Sequence, residues 1–391
     1  MTPAFSIFIP VWNDAAWLGG AVESVLAQTY PHWELIVGDN ASTDDLERLV
    51  AAYLDPRIHY HRWPTHVDTY SNFNRTALLC HTDWLQLLSA DDRLHPDCLA
   101  RMAKRIEQVE GSGRRLAVVV TRCRRVSPSG EPAERAYYGS QQVKHGRDGL
   151  YSARGWLRLL AAPGMPAWNI GSVAVAREVV AEMGGFFRPD VGLCSDHELT
   201  LRAAAYGDVA YIDEPLLDYT VRDGSDGNLR FFQNRARGEA ATPIGAALLA
   251  GLGTHESRRA VSPAERRMVH AAVARSHLQR AGQHRILPGG RGRLGALVDV
   301  VRAAGQSPST VFAPPQLLMA GAVVLAPDAA IRWGSAALAR RRGAAAERGA
   351  PLGAPAPSVP SRLEPAVTLP PGCETGAAAA RFLRAGEGAR R

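Results

Sequence analysis

Short apolar runs alternate with helical patterns along the first part of the chain. Residues 5–10 and 34–39 have the length of buried strands and end at a proline and at a carboxylate, respectively. Between them, residues 15–28 carry apolar side chains at the three-to-four spacing of an amphipathic helix. Because parallel strands need a crossover connection, this alternation predicts a mostly parallel sheet flanked by helices.

The same pattern continues to about residue 227 and predicts one α/β domain over residues 1–227. The predicted strands are residues 5–10, 34–39, 58–62, 84–88, 116–121, 171–176 and 209–213, and the predicted helices are residues 15–28, 44–53, 72–80, 96–109, 152–161, 178–183 and 195–206. Residues 42–45 fit a capping pattern at the start of the second helix. No G-x-G-x-x-G follows the first strand, which disfavours the usual dinucleotide-binding fold.

The rest of the chain has a different composition. Residues 228–342 are predicted to be helical, at residues 231–252, 263–282, 294–304, 316–325 and 331–342. Residues 343–391 are mainly Ala, Pro, Gly and Arg, so we expect a disordered tail. Residues 1–253 hold 25 basic and 30 acidic side chains, whereas residues 254–391 hold 20 and 8. This asymmetry suggests that the second part faces an anionic surface.

Two interpretations stay open for the apolar run at residues 316–325 and the arginines at 340–342. Residues 316–342 could contact a membrane surface, with the arginines near anionic head groups, or they could pack as ordinary helices on the first domain. Nucleic-acid binding is disfavoured, because no motif of such proteins accompanies the basic residues. The five cysteines show no C-x-x-C spacing and no leader pattern opens the chain. We therefore expect a cytoplasmic protein, peripheral on the membrane face if residues 316–342 bind lipid.

Three carboxylates stand where predicted strands end. Asp39 closes an apolar run, and a carboxylate there needs a hydrogen-bond donor. Asp91 and Asp92 follow the strand predicted at residues 84–88, and open α/β sheets bind ligands at the carboxyl ends of their strands. From the residues alone, the pair either binds a hard divalent cation and a sugar, or lies in a solvated loop with Asp92 capping the next helix.

Residues 6–13, 21–44 and 89–92 resemble the inverting family 2 glycosyltransferases of the GT-A fold, and the likeness spans roughly residues 5–225. The resemblance implies a GT-A-like sheet that binds a nucleotide-diphosphate sugar. By matching position, Pro10, Trp12 and Asn13 would lie at the nucleotide, and Asp39 would accept a hydrogen bond from the base. From the residue alone, Trp12 could equally be an ordinary core aromatic.

The resemblance also implies a role for each residue at the diphosphate. Asp91 would meet the ribose or the sugar, and Asp92 would bind the metal, a divalent cation (Mg²⁺ or Mn²⁺) that bridges the phosphates. Arg75 could contact a phosphate or the base, because a guanidinium matches phosphate geometry, or it could be a surface arginine. Arg222 stands where the family often has a histidine that reaches the metal or the diphosphate. An arginine cannot bind the metal but can neutralise the leaving diphosphate directly, so the resemblance supports a metal less firmly than a donor.

The general base would come from the helix predicted at residues 195–206. Residues 194–202 match the place of the family's acidic pair, which makes Asp196 the base. The usual glutamate before it is Ser195 here, and His197 and Glu198 are the fallback candidates. Without the resemblance, Ser195 or Asp196 would simply cap the helix.

The expected function is inverting transfer of a sugar to a glycan or lipid-linked acceptor in cell-envelope polysaccharide synthesis. The alternative is a non-catalytic module that keeps the sugar-nucleotide or glycan site but has lost the chemistry. A nucleotidyltransferase is disfavoured by the missing glycine-rich phosphate loop.

Overall fold

The computed structural model describes residues 2–133, 143–144, 146–162, 165–188, 190–191, 194–222, 243–258, 261–286 and 292–325. The strands are β1 (Phe5–Val11), β2 (Trp33–Asp39), β3 (Ile58–Arg62), β4 (Trp84–Leu87), β5 (Arg93–Leu94), β6 (Leu116–Val126), β7 (Val143–Lys144), β8 (Gly149–Tyr151), β9 (Met165–Pro166), β10 (Val173–Ala176) and β11 (Asp208–Thr220). The helices are α1 (Ala15–Leu26), α2 (Leu46–Ala51), α3 (Thr69–Ala77), α4 (Cys98–Glu110), α5 (Ala153–Ala161), α6 (Arg177–Glu182), α7 (Ser195–Ala204), α8 (Pro243–Arg258), α9 (Pro263–Ile286), α10 (Gly292–Gln306), α11 (Pro308–Val311) and α12 (Pro314–Leu325).

A central mixed sheet organises the α/β part, in the order β3-β2-β1-β4-β10-β6-β11-β5, with β8 paired to β11. The first four strands of this order are parallel. β10 then runs antiparallel to both of its neighbours, β4 and β6. The prediction of an α/β sheet flanked by helices is confirmed, although the sheet is more mixed than the alternation indicates.

The β1 strand lies in the middle of the parallel half, which explains its continuous apolar sequence. Every residue of β1 is buried, because strands on both sides and helices on both faces cover it. On its neighbour β2, Gly38 lies so close to Thr76 of α3 that an added Cβ would lie 2.3 Å from the Thr76 hydroxyl oxygen. Glycine therefore lets the helix approach the sheet. The carboxyl ends of β1, β2 and β4 meet at one edge, which we call the carboxyl edge.

Two elements differ from the sequence predictions. Residues 170–172, at the start of the strand predicted at 171–176, form a 3₁₀ turn before β10 begins. The strand predicted at 209–213 continues to Thr220 as β11, with register shifts around Pro215. This extension carries the chain past β5 to Arg222 at the carboxyl edge. Residues 231–242, 331–342 and 343–391, which include predicted helices and the predicted tail, lie outside the described residues.

The later helices pack on the α/β part through both apolar and polar contacts. His255 Nε2 of α8 lies 2.7 Å from the carbonyl oxygen of Leu201 in α7. Glu265 of α9 accepts a hydrogen bond from Arg158 of α5. Leu248 of α8 joins the main hydrophobic core. Within the described residues, no helix combines the length and apolar character that crossing a bilayer requires.

Candidate functional site

The Asp39 carboxylate is buried at the end of β2 and fully provided with donors. Oδ1 accepts from the Ser42 backbone N–H (2.8 Å), and Oδ2 accepts from the Tyr60 hydroxyl (2.6 Å) and Arg62 Nη1 (2.8 Å). Burial alone would raise the pKa of Asp39, but these hydrogen bonds and the arginine charge hold the pKa below its ordinary value. This group, Asp39 with Ser42, Tyr60 and Arg62, is the Asp39 cluster below.

Arg75 is not a free surface side chain. Its guanidinium donates to Asn40 Oδ1, to Asn72 Oδ1 (3.0 Å) and to the Thr65 carbonyl (3.1 Å). It also lies 4.6 Å from the centre of the Trp63 ring. Burial lowers the pKa of Arg75, and the charge of Asp39 partly offsets that effect. Arg75 therefore lies beside the Asp39 cluster, and its contact with a nucleotide stays a prediction.

The loop after β1 is joined to the loop after β2. Asn13, at a left-handed φ of 54°, accepts from the Thr43 backbone N–H with Oδ1 (2.7 Å). The N–H of Ala15 at the start of α1 donates to Asp44 Oδ2 (2.8 Å). Asp44 thus caps α1 across the two loops, and residues 42–45 do not cap α2 as predicted, since the N-cap Asp45 makes no side-chain capping hydrogen bond. This arrangement leaves the Asp14 carboxylate available for other contacts.

The aromatic side chain of Trp12 is half exposed, so it is not a core aromatic. Its ring lies 4.6 Å from that of His66, tilted by 47°. Pro10, by contrast, is buried within β1 opposite Gly38. The exposed Trp12 ring, next to His66, offers a face on which a base could stack, whereas Pro10 lies within the strand beneath.

Arg222 bridges two carboxylates at the carboxyl edge. Its Nε donates to Asp91 Oδ2 (2.6 Å), and its Nη2 lies 3.0 and 3.1 Å from the two oxygens of Asp14. The guanidinium also lies 5.1 Å from the centre of the Trp17 ring. Burial raises the pKa of Asp14, opposed by Arg222 and assisted by the negative charges of Asp91 and Asp44. The sequence alone does not identify Asp14 as a site residue, because no local pattern links it to residue 222.

Asp92 is fully buried behind this bridge. Its Oδ1 accepts from the Thr220 backbone N–H (2.9 Å), and its Oδ2 has no hydrogen-bond partner within the described chain. Burial and the neighbouring Asp91 carboxylate raise the pKa of Asp92 well above its ordinary value. The alternative of a solvated loop is therefore wrong for Asp92, and Asp92 does not cap α4, whose N-cap is Asp97. We call Asp14, Asp91, Asp92 and Arg222 the Asp91 cluster.

Asp196 lies in the first turn of α7, after Cys194 at a left-handed φ of 68°. Its Oδ1 lies 2.9 Å from both the backbone nitrogen and Nδ1 of His197. Burial alone would raise the pKa of Asp196, but the charge and hydrogen bonds of His197 lower it. About a fifth of the Asp196 side chain stays exposed, so an acceptor could reach its free oxygen.

The fallback candidates next to Asp196 have structural partners. Glu198 is buried and pairs with Arg202 (2.8 Å). Arg202 in turn donates to the carbonyls of Gly185 (3.0 Å) and Phe186 (2.7 Å). Gly184 and Gly185 have φ values of 75° and 143°, which a chain reversal requires and other residues rarely adopt. Glu198 therefore holds this turn through Arg202, and Asp196 is the more accessible carboxylate.

Trp168 and Asn169 connect the Asp196 region to the Asp91 cluster. The Trp168 ring lies 5.1 Å from that of His197, tilted by 35°. The next residue, Asn169, caps the 3₁₀ turn before β10, and its side chain approaches the Asp92 carboxyl. Trp168 and Asn169 thus connect His197, the partner of Asp196, to Asp92 of the Asp91 cluster.

One group of metal-ligating side chains emerges among the described residues. Cys194, Asp196 and His197 offer ligand atoms that all lie within 4.8 Å of one another. Asp92, the carboxylate predicted to hold the cation, is not in this group, and neither is Asp91, predicted to meet the ribose or the sugar. The geometry therefore offers two different places for a positive ion.

Comparisons with known proteins find likenesses to glycosyltransferases in the first part of the chain. Residues 6–136 match the family model described as Glycosyl transferase family 2. Over 114 residues the chain is 40% identical to the PGL/p-HBAD biosynthesis glycosyltransferase of Mycobacterium tuberculosis, a match that covers 28% of this chain and 44% of the relative. Over 100 residues it is 32% identical to WcaA of Escherichia coli, a glycosyl transferase named for colanic acid biosynthesis, covering 25% of this chain and 36% of the relative. The chain thus spans less than half the length of these relatives.

A solved structure extends the likeness beyond the matched segment. TarS of S. aureus, residues 1–349 in complex with UDP, superposes with a TM-score of 0.55 and covers 87% of this chain and 92% of that chain. The sequence identity is 14%, so the likeness shows a shared fold.

Proposed function

We propose that this chain, whose residues 6–136 match the family model described as Glycosyl transferase family 2, transfers a sugar from a nucleotide-diphosphate donor to a hydroxyl group of a glycan or lipid-linked acceptor, with inversion. One observation carries the proposal. A donor-rich Asp39 cluster and a carboxylate-rich Asp91 cluster with Arg222 lie on the same edge of one sheet. The Asp39 cluster suits a nucleobase. The Asp91 cluster suits a diphosphate together with the positive charge that balances it.

The nucleotide would lie across the ends of β1 and β2. Asp39 is held ionised and can accept from an N–H on the base edge if one of its donors yields. Trp12 and His66 supply the stacking surface, and Arg75 supplies a fixed positive charge. The UDP bound to TarS, which shares this fold, supports a nucleoside diphosphate as the ligand.

The diphosphate would lie at the Asp91 cluster. Arg222 already makes charged hydrogen bonds to Asp14 and Asp91, so phosphate oxygens can exchange with these carboxylates as its partners. As the bond between the anomeric carbon and the leaving oxygen breaks, the guanidinium would neutralise the charge that develops on the diphosphate.

A divalent cation, Mg²⁺ or Mn²⁺, also fits the Asp91 cluster. The cluster holds three carboxylates against one guanidinium, and Asp92 Oδ2 lacks a partner in the described chain. The assignment of the metal to Asp92 stays a prediction, and the partial exposure of Asp91 makes that carboxylate a second ligand candidate. A bound cation would supply a further positive charge to the diphosphate.

Asp196 is proposed as the general base. It would take the proton of the acceptor hydroxyl while that oxygen forms a bond to the anomeric carbon and the diphosphate leaves with the electron pair of the broken bond. The lowered pKa favours the ionised carboxylate that a general base requires. His197 fixes the orientation of the carboxylate through Oδ1 and leaves Oδ2 for the acceptor.

The test is to substitute the base without disturbing the donor site. Asp196→Asn should abolish transfer and leave donor affinity nearly unchanged, because Asp196 makes no contact with the Asp39 cluster among the hydrogen bonds of the described residues. Thermal shift with UDP-, GDP- and dTDP-sugars, with and without Mn²⁺, identifies the donor, since a bound ligand stabilises the folded state. The matched control is Asp190→Asn, an exposed carboxylate paired with Arg188 before the same helix.

Each outcome separates the alternatives. Comparable turnover in Asp196→Asn would remove the base assignment, and no thermal shift with any donor would remove the sugar-nucleotide function. A wild-type chain that binds a donor but neither transfers nor hydrolyses it would be the non-catalytic module, for which Ser195 in place of the usual glutamate is the observation in favour. The lipid-linked acceptor, the membrane contact through residues 316–342 and the cytoplasmic location stay predictions.

A further inference from the structure

Helix α10 turns its small and polar side chains inward and its large aliphatic side chains outward. Ala296, Asp299 and Ala303 are fully buried against the neighbouring helices. The exposed residues are Leu294 (73%), Leu297 (45%), Val298 (40%) and Val301 (62%). Their spacing of three and four residues places them on one helical face, which we call the α10 stripe.

The inward face explains why the helix is held in this orientation. Asp299 lies 3.4 Å from Nδ1 of His277 on α9, and both side chains are buried. A small apolar cluster formed by Ala274, Leu278, Ala303, Val311 and Ala320 closes the contact. Rotating α10 to bury its aliphatic side would bring Asp299 into solvent and break this pairing, so the stripe stays outside.

Two more large apolar side chains are exposed on the helices that follow. Phe312, just after α11, is 62% exposed, and Leu325, at the end of α12, is 75% exposed. Exposed apolar residues are common singly, but four on one helical face form a contiguous patch. Such a patch normally marks a surface that another body covers.

We infer that the α10 stripe is a docking surface for an anionic lipid bilayer. The sequence around the stripe supplies the complementary charge, because residues 280–306 contain five arginines and a single acidic residue, the buried Asp299. An apolar helical face among basic residues matches the interfacial helices that insert aliphatic side chains among anionic head groups.

A second copy of the chain fits this surface less well. A symmetric contact across α10 would bring the two basic segments at residues 280–306 towards each other, and like charges would oppose association. An anionic bilayer instead attracts both the apolar and the basic parts of the surface. The inference is independent of the transfer reaction, because it concerns binding alone.

The test measures co-sedimentation of the full chain with vesicles. The wild-type chain should bind vesicles that contain phosphatidylglycerol and bind neutral phosphatidylcholine vesicles weakly, with binding that falls as salt rises. The double variant Leu297→Gln/Val301→Gln should lower the partition coefficient about tenfold, because two aliphatic side chains no longer enter the lipid. The matched control is Leu54→Gln, an 80% exposed leucine of the α/β part.

The outcomes decide the occupant. Loss of vesicle binding in the double variant, with binding retained in Leu54→Gln and unchanged circular dichroism in both, supports the inference. No binding of the wild-type chain to anionic vesicles, or equal binding of the double variant, overturns it. A dimer that light scattering detects and that only the double variant dissociates, without vesicle binding, would instead identify a second copy as the occupant. Since donor thermal shift does not depend on the stripe, the double variant should keep it.

Discussion

The Asp39 and Asp91 clusters lie on the same sheet edge, but their buried carboxylates have pKa values shifted in opposite directions. Asp39 is surrounded by donors on both oxygens, and the pKa of its carboxyl is lowered. Asp92 is equally buried, and burial together with the neighbouring Asp91 carboxylate raises the pKa of its carboxyl, while one oxygen lacks a partner in the described chain. Burial raises the pKa in both cases, and only the donors and the positive charge around Asp39 outweigh that effect.

This difference suggests different roles for the Asp39 cluster and the Asp91 cluster. The Asp39 cluster is complete without ligand, so it can present a fixed hydrogen-bonding surface to a base. The Asp91 cluster has more negative charge than Arg222 can balance, so it gains stability from any added cation. We expect substitutions in the first cluster to act mainly on stability and donor affinity. Those in the second should act mainly on transfer and cation dependence.

Among substitutions in the two clusters, the largest effect is expected for Arg222→Ala. Loss of the guanidinium removes the charge that neutralises the leaving diphosphate, so the transfer rate should fall about 100-fold to 1,000-fold. Asp14 and Asp91 would lose their shared cation, so Mn²⁺ should bind more tightly and shift the melting temperature at lower concentration. Transfer assays and Mn²⁺ titrations of the melting temperature measure the two effects.

Arg124→Ala is the control for Arg222→Ala, because Arg124 is an exposed arginine that pairs with Asp218 on the same sheet. It should leave both transfer and Mn²⁺ titration close to the wild-type values. If Arg222→Ala retained transfer at the control's level, the two clusters would not differ in the way we describe.

Sequence patterns predicted some of this site for physical reasons that are local. A carboxylate at the end of an apolar strand must be paired, which identified Asp39. Its partners Tyr60 and Arg62 lie in a strand that was also predicted, but only the order β3-β2 shows that Arg62 is in register with Asp39. The pairing of Asp14 with Arg222 spans 208 residues and depends on the extension of β11.

The orientation of α10 in the helical part also could not be predicted from local sequence spacing. A helix was predicted at residues 294–304, and an amphipathic pattern normally places aliphatic residues inward. In α10 the buried pair Asp299 and His277 reverses that orientation. Polar contacts between different elements thus position both the Asp91 cluster and the α10 stripe. Local sequence spacing predicts neither the cluster nor the stripe.

An intermediate effect is expected for Asp39→Asn. The amide oxygen can keep one acceptor contact, but the amide NH₂ would face the Tyr60 hydroxyl and Arg62. We expect a loss of about 2 kcal/mol in the free energy of unfolding, modest because Arg62 is half exposed, and about tenfold weaker donor binding. Urea unfolding and donor titration measure these changes. The control is Asp55→Asn, which breaks a partly exposed pair with Arg57; it should lower the free energy of unfolding less and leave donor binding unchanged.

The pH dependence adds a sign to the prediction for Asp39. Because its folded pKa lies below the ordinary 3.8, Asp39 stabilises the fold above that pH and loses this contribution as the pH falls further. The difference in stability between wild type and Asp39→Asn should therefore shrink in acid. A difference that stayed constant from neutral pH to pH 3 would mean that the carboxylate charge is not what the cluster stabilises.

The smallest effect is expected for Asp92→Asn, and its sign is opposite. The folded pKa of Asp92 lies above 3.8, so its stabilising protonated form is lost as the pH rises from there through the folded pKa. An amide keeps the contact with the Thr220 N–H without the buried charge. Without cation at neutral pH, the variant should equal or exceed the wild type in stability, within about 1 kcal/mol, and this advantage should vanish near pH 4. Urea unfolding at three pH values tests the sign.

With Mn²⁺ added, only the wild type should gain stability if Asp92 binds the ion. An equal gain in Asp92→Asn, but none in Asp91→Asn, would assign the cation to Asp91.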